Sequence, residues 1–367
     1  MTIDMLPDDV LLGIFKFYLN IDPLLYTPQN TWHALVHVCR RWRYLVFASP
    51  HHLNLRIEYG GRRPMSEVLD TWPVLPVRLT TSQGIPYPQS YQRWDNMVTA
   101  LESEHYNRIC EIYITDMTNP RWERFAAAMQ KPFPELTHLE VLTYHVERIL
   151  PNSFLGGSAP RLRTLRLRGI PFPSIPELLL SANGLVTLIL ESIPNSGYIS
   201  PDGMATALTV MTRLESLHLQ FRFPQFRPDP ESRPLPPPTR FALPALTKVT
   251  FGGVSEYLED LLARIDAPLL YHLDIQFFMD FDFVDIPHLH RLICHAEQFK
   301  AFGHAVVLIT DGSIQLSLHH KTGAVDHHRL LNFRIEVLCR ELDRQRSSLA
   351  RVCRSSFPLI SLEEFKM

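Results

Sequence analysis

The sequence predicts an α/β protein: a short all-α N-terminal module, then an irregular solenoid with a parallel sheet on its concave side and helices outside. Three observations predict it. A hexamer with apolar residues at its first, fourth and sixth positions recurs eight times between residues 109 and 294. Helix-start signals fall between successive hexamers. The first fifty residues instead carry two apolar stripes at helical spacing.

The N-terminal stretch comes first. Pro7 suits the first position of a helix, because its fixed φ fits and its missing N–H is not needed there. Asp8 and Asp9 follow in the first turn, where negative charge complements the helix dipole. Val10, Leu11, Ile14, Phe15, Tyr18 and Leu19 recur at helical spacing. A second stripe, expected as one helix, comprises Trp32, Leu35, Cys39, Trp42 and Val46 at alternating intervals of three and four. So short a pair buries too little surface to be stable alone, and its apolar faces need a third surface.

Leu6-Pro7-Asp8-Asp9-Val10-Leu11 with Ile14-Phe15, then Val38-Cys39-Arg40-Arg41-Trp42, then Ser49-Pro50 and Leu53, resembles an F-box. The stretch Asn20–Thr31, with Pro23 and Pro28, is longer than the link most family members have there.

The repeat begins with Ile109-x-x-Ile112-x-Ile114 and continues at Leu136, Leu162, Leu185, Leu214, Leu246, Leu270 and Leu289, at intervals of 19 to 32 residues. An earlier unit is suggested by Val74-x-x-Val77-x-Leu79. Alternating apolar residues point to one side of a strand and the residues between them to the other. A single unit cannot bury its apolar side, but stacked neighbours can. The pattern resembles the core of a leucine-rich repeat. It departs from the common form in lacking the Asn or Cys three residues after the last core position, which is held by residues such as Met117, Tyr144, Ile170 and Arg222.

The segments between strands read as helices. Asn119-Pro120 opens Arg121–Gln130, Ser174 and Glu177 have capping-box spacing ahead of Leu178–Leu180, Ser200-Pro201 opens Asp202–Met211, and Ser255 opens Glu256–Ile265. The stretch Pro224–Pro244 holds eight prolines and reads as a projecting loop. Beyond residue 300, Ala305–Ile309 and Ile314–Leu318 flank Asp311-Gly312 and read as a hairpin. Leu330 to Arg354 reads as helix, so that hairpin and helix would cap the last repeat. The expected domains are 1–50, the helical module; 51–108, a linker and N-terminal cap; 109–300, the degenerate repeats; and 301–367, the C-terminal cap.

Composition narrows the function classes. The formal net charge is −2 with both signs mixed, so nothing calls for nucleic acid. The five cysteines include no Cys-x-x-Cys pair, which argues against a disulfide framework or zinc ribbon and fits a reducing compartment. No apolar run is long enough to span a bilayer, and the N-terminus lacks a signal-peptide pattern. Cytoplasm or nucleus is the expected location.

No nucleophile elbow, phosphate loop, dinucleotide fingerprint or zincin motif is present. No catalytic residue, cofactor or metal is assigned. The nearest enzyme-like feature is His319-His320 with His327-His328 and Asp326, which could ligate zinc. Asp280, Asp282 and Asp285 lie among Phe277, Phe278, Phe281 and Phe283, without calcium-loop spacing. The better candidate is the concave face. There Tyr113, Glu140, Arg166, Arg168, His218 and Asp274 are the expected substrate-binding residues, a mixed surface suited to a protein epitope. Arg161, Arg163, Arg166 and Arg168 form a local basic spot with potential for acidic or phosphorylated segments.

The F-box resemblance implies a non-enzymatic adaptor in the ubiquitin-conjugation pathway. It would dock a Skp-family adaptor within a cullin–RING ubiquitin ligase and hold a protein substrate, with no nucleic-acid or membrane partner. The residues matched to adaptor docking are Leu6, Pro7, Val10, Leu11, Ile14, Phe15, Val38, Cys39, Trp42 and Leu45, some of which must pack the helices on each other instead. Degenerate repeats and proline richness are similar to those of the large F-box families of mushroom-forming fungi. The alternative is a binding scaffold outside any ligase, whose N-terminal helices merely cap the solenoid.

Overall fold

A computed structural model describes residues 5–19, 32–50, 52–71, 75–81, 90–115, 119–143, 148–171, 175–222, 240–278, 286–296, 299, 302–310, 312–320, 333–338 and 364–366. The chain divides into two compact units, 1–129 and 130–367.

The first unit opens with α1 (Asp8–Leu19), α2 (Trp32–Val36) and α3 (Arg40–Ala48). The second apolar stripe is therefore two helices and not the single one its spacing suggests. The break falls at Cys39, whose backbone is extended (φ −156°) and whose Sγ accepts the Trp42 N–H at 3.5 Å, making it the N-cap of α3. Arg43 Nε donates to the Val36 carbonyl at 2.9 Å and satisfies the end of α2. Phe15 of α1 packs on Trp42 of α3, with ring centroids 4.6 Å apart. Arg41 fixes the start of α1 by donating to the Leu6 carbonyl and to Asp8 Oδ1, both at 2.6 Å.

The module leads into a strand–helix alternation: β1 (Ile57–Tyr59), α4 (Met65–Thr71), β2 (Val77–Thr80), α5 (Ser90–Glu102), β3 (Ile109–Thr115) and α6 (Asn119–Ala128). The three strands are parallel, in the order β1-β2-β3. The unit suggested at Val77 is thus a strand, and one more precedes it within the segment read as linker. Trp32 Nε1 donates to the Arg56 carbonyl at 3.1 Å and ties the helices to the start of β1.

The second unit contains β4 (His138–Leu142), β5 (Thr164–Arg168), α7 (Ile175–Ser181), β6 (Thr187–Ile193), α8 (Pro201–Leu208), β7 (Ser216–Phe221), β8 (Phe241–Ala242), β9 (Lys248–Gly253), α9 (Ser255–Leu262), β10 (Ile265–Asp266), β11 (His272–Phe277), α10 (Pro287–His295), β12 (Phe302–Ile309), β13 (Ser313–His320), β14 (Phe333–Leu338) and β15 (Glu364–Lys366). Its sheet runs β4-β5-β6-β7-β9-β11-β14-β13-β12-β15, parallel through β14 and without closing. β8 and β10 form a separate two-stranded ribbon.

The leucines of the hexamers face the core. Leu165, Leu167, Leu188, Leu190, Leu217, Leu219, Leu273 and Ile275 are buried, while the residues between them are half-buried. Burying each such side chain is worth about 1.5–3 kcal/mol. The helices lie on the leucine side, where Tyr257 of α9 stacks on Phe251 of β9 and meets Phe221 of β7 edge-on. Successive helices α7, α8, α9 and α10 pack on one another. The expected helices at 121, 175, 202 and 256 are all present, and so is the hairpin: β12 and β13 are antiparallel, with Thr310 N–H donating to the Ser313 carbonyl at 2.9 Å.

Two further expectations are overturned. The eighth hexamer, Leu289-x-x-Leu292-x-Cys294, lies in α10 and is not a strand. Its place beside β11 is taken by β14, within a stretch read as helix. The same residues explain both outcomes. Leu289, Leu292 and Ile293 sit at i, i+3 and i+4, a helical face, and all three are buried. Phe333, Ile335 and Val337 alternate, a strand face, and are buried too. The proline-rich stretch up to residue 239, the link 20–31, residues 279–285 and residues 339–363 lie outside the described residues.

Candidate functional site

Two surfaces carry the residues singled out from the sequence, one in each unit. In the helical module, α1 has two apolar faces. Leu11 and Phe15, one turn apart, are fully buried, Phe15 against Trp42 of α3, and Leu45 is buried as well. Val10, Ile14, Phe17 and Tyr18 share the adjacent face and stay 46, 43, 73 and 41 % exposed. Met5, ahead of α1, and Val38, between α2 and α3, are exposed as well. Of the ten residues matched to adaptor docking, Pro7, Val10, Ile14 and Val38 are therefore exposed, Leu6, Cys39 and Trp42 are half-buried, and Leu11, Phe15 and Leu45 form the inside of the module. Phe17 completes the exposed apolar face of α1. Phe17 was missed in the sequence, although it follows Ile14 by three residues and continues the face of Val10 and Ile14.

In the second unit, parallel in-register pairing lines up the face opposite the leucines. One row runs Glu140, Arg166, Ile189, His218, Thr250, Asp274 and Arg334, each opposite the next. Five of the six candidate substrate residues lie on this face; Tyr113 lies on β3 of the first unit. There the Arg78 guanidinium stacks over the Tyr113 ring at 4.5 Å, and the buried Glu111 pairs with Arg56 and Arg78.

The charges on the second unit's face compensate one another. Arg166 reaches Glu140 at 3.4 Å and Glu191 at 3.2 Å, and Arg168 lies 4.0 Å from Glu191. Arg334 donates to Asp274 at 2.7 Å, and Gln276 donates to Glu336 at 3.1 Å. The basic spot read from the sequence is thus largely compensated: Arg161 is held by Glu135 at 2.5 Å, Arg166 lies between Glu140 and Glu191, and Arg168 lies beside Glu191. Register brings those carboxylates from strands about 25 residues away, a proximity no local window contains. At their partial exposure these pairs add under about 1 kcal/mol each, so their effect is to fix side-chain positions. His218 lies 3.8 Å from Glu191. Burial pushes its pKa below the ordinary value and Arg166 pushes it further down, against the pull of Glu191 and Asp274. Arg334 and Glu336 were missed because their strand was read as helix.

Among the described residues no group of three or more His, Cys, Asp or Glu is placed to hold a metal ion, and Cys39, Cys110 and Cys294 form no disulfide. The side chains of the His319–His328 cluster lie outside the described residues. No described helix is long and apolar enough to cross a membrane.

No family model matches the chain, and no curated protein matches it.

Proposed function

We propose that the protein is a substrate-recognition adaptor of a Skp–cullin–F-box ubiquitin ligase. In this reading it grips the Skp-family adaptor through its N-terminal helices and a protein substrate through the charged face of its repeats. The observation that carries the reading is the second apolar face of α1. A helix that only capped its own fold would bury Val10, Ile14 and Phe17, yet these remain 43 to 73 % exposed while Leu11 and Phe15 already anchor the helix. The F-box-like residues supply the identity of the partner. The repeat face supplies an array of paired charges of both signs, suited to a protein epitope with few central anchors.

The test is co-expression of the full chain with a eukaryotic Skp-family adaptor, followed by pull-down. Leu6→Ala with Pro7→Ala, and separately Ile14→Asp with Phe17→Asp, should abolish capture while circular dichroism of the repeats stays unchanged. The Leu6 carbonyl that Arg41 uses is kept in the first variant, so the start of α1 is preserved. Capture that survives both variants, or no capture by the wild type, overturns the reading.

A further inference from the structure

At the C-terminal end of α9 a cavity of about 240 Å³ opens between the β8–β10 ribbon and α10. Its polar lining is Arg240, Arg291, Asp266 and His295, and its apolar lining includes Ile265 and Leu292. The two arginines are anchored side by side. Arg240 Nε donates to the Ala263 carbonyl at 3.0 Å, and Arg291 Nη2 reaches the Leu262 carbonyl at 3.5 Å. These are consecutive carbonyls at the negative end of α9, which helps to hold cations there. Arg240 also spends one nitrogen on His288 Nδ1 at 3.4 Å. Among the described residues the remaining guanidinium donors have no hydrogen-bond partner, and no ion pair joins either arginine to Asp266.

We infer that this cavity binds a free α-amino acid, its carboxylate on Arg240 and Arg291 and its ammonium on Asp266. Each guanidinium is a planar fork of donors that a carboxylate matches. Asp266 in the same lining disfavours a dianion such as phosphate and supplies the acceptor an ammonium needs. His295 Nδ1 donates to the Arg291 carbonyl of its own helix at 2.8 Å, so Nε2 is the ring nitrogen left for a ligand. Ile265 and Leu292 offer the ligand side chain an apolar wall. At about 30 Å³ per water the space equals roughly eight waters, and it lies below the roughly 300 Å³ where drug-sized pockets begin. This site is independent of the adaptor reading, and either can fail alone.

The experiment is isothermal titration of the full chain with each proteinogenic L-amino acid, and with acetate, methylammonium and inorganic phosphate as separate probes. At least one amino acid should bind with Kd below about 1 mM, at least tenfold tighter than acetate, methylammonium or phosphate. Asp266→Asn and Arg291→Gln should each weaken it at least tenfold. Both should fold, since Asp266 is exposed and Arg291 gives up a single long contact; thermal melting checks this. No heat with any amino acid up to about 10 mM, phosphate binding as tightly as the best amino acid, or unchanged binding in folded Asp266→Asn would overturn the inference.

Discussion

Replacing Glu259 by glutamine changes the pH dependence of stability in a direction that the structure fixes. Glu259 belongs to α9, is 8 % exposed, and caps α10: its two carboxylate oxygens accept the N–H groups of His288 at 2.8 Å and Leu289 at 2.9 Å. Burial nevertheless raises its pKa from 4.5 to about 7; the two N–H bonds pull it down and Asp260 pushes it further up. Below pH 4.5 the carboxyl is protonated in both folded and unfolded chains, and its contribution is fully present. Between 4.5 and 7 the unfolded chain has lost this proton while the folded chain keeps it. Unfolding then releases a proton, and stability falls as pH rises. At about 1.4 kcal/mol per pH unit the loss across this window is roughly 3 kcal/mol. Glutamine cannot titrate, so the wild-type-minus-variant stability should be roughly 3 kcal/mol larger at pH 5 than at pH 8. Urea unfolding of the full chain at both pH values, followed by circular dichroism, measures this double difference. A difference constant to within about 0.5 kcal/mol would refute the argument that burial outweighs the helix-end hydrogen bonds at Glu259.

Other outcomes can be checked alongside. Phe15→Ala removes a fully buried ring from against Trp42 and should cost about 3–5 kcal/mol, whereas Ile14→Asp one position away should shift stability by no more than about 0.5 kcal/mol; equal costs in urea unfolding would refute the two-faced reading of α1. Gly169 has φ +68°, and an added Cβ would lie 2.5 Å from the Thr143 carbonyl oxygen. Gly169→Ala should therefore destabilise by at least about 1–2 kcal/mol, and a neutral result by thermal melting would exclude that backbone conformation. Arg166→Met removes a charge that lowers the His218 pKa, so NMR titration should show His218 titrating at higher pH than in the wild type; an unchanged or lower value would mean that Arg166 does not face it. Ser200 accepts the Gly203 N–H at 3.1 Å as the N-cap of α8, and Ser200→Ala should cost about 1 kcal/mol in urea unfolding.

Much of the architecture was readable because it rests on short-range pattern. A leucine at every second position of Thr164–Arg168 can bury its apolar side only as a strand, and Ser200-Pro201 starts a helix by local hydrogen bonding alone. The helical module was legible for the same reason, except at Cys39, where one residue leaving helical geometry splits a stripe whose spacing looked continuous. The exposed face of α1 was harder to see. Val10 and Leu11 are adjacent and equally apolar, and only the packing of Phe15 on Trp42 turns one inward and leaves the other in solvent.

Two further matters lay beyond any local window. Residues 289–294 fit a strand motif and a helix face equally well, and they form a helix while β14, from Phe333–Leu338 further along the chain, pairs with β11 in the adjacent place. The charge of the repeat face is likewise a product of register. Arg166 and Arg168 read as a basic spot along the chain, but parallel pairing sets Glu140 on one side and Glu191 on the other. Side-chain periodicity is a property of neighbours along the backbone and survives in any window of the sequence. Ion pairing and strand order depend on which distant segments meet, and only the folded sheet fixes that.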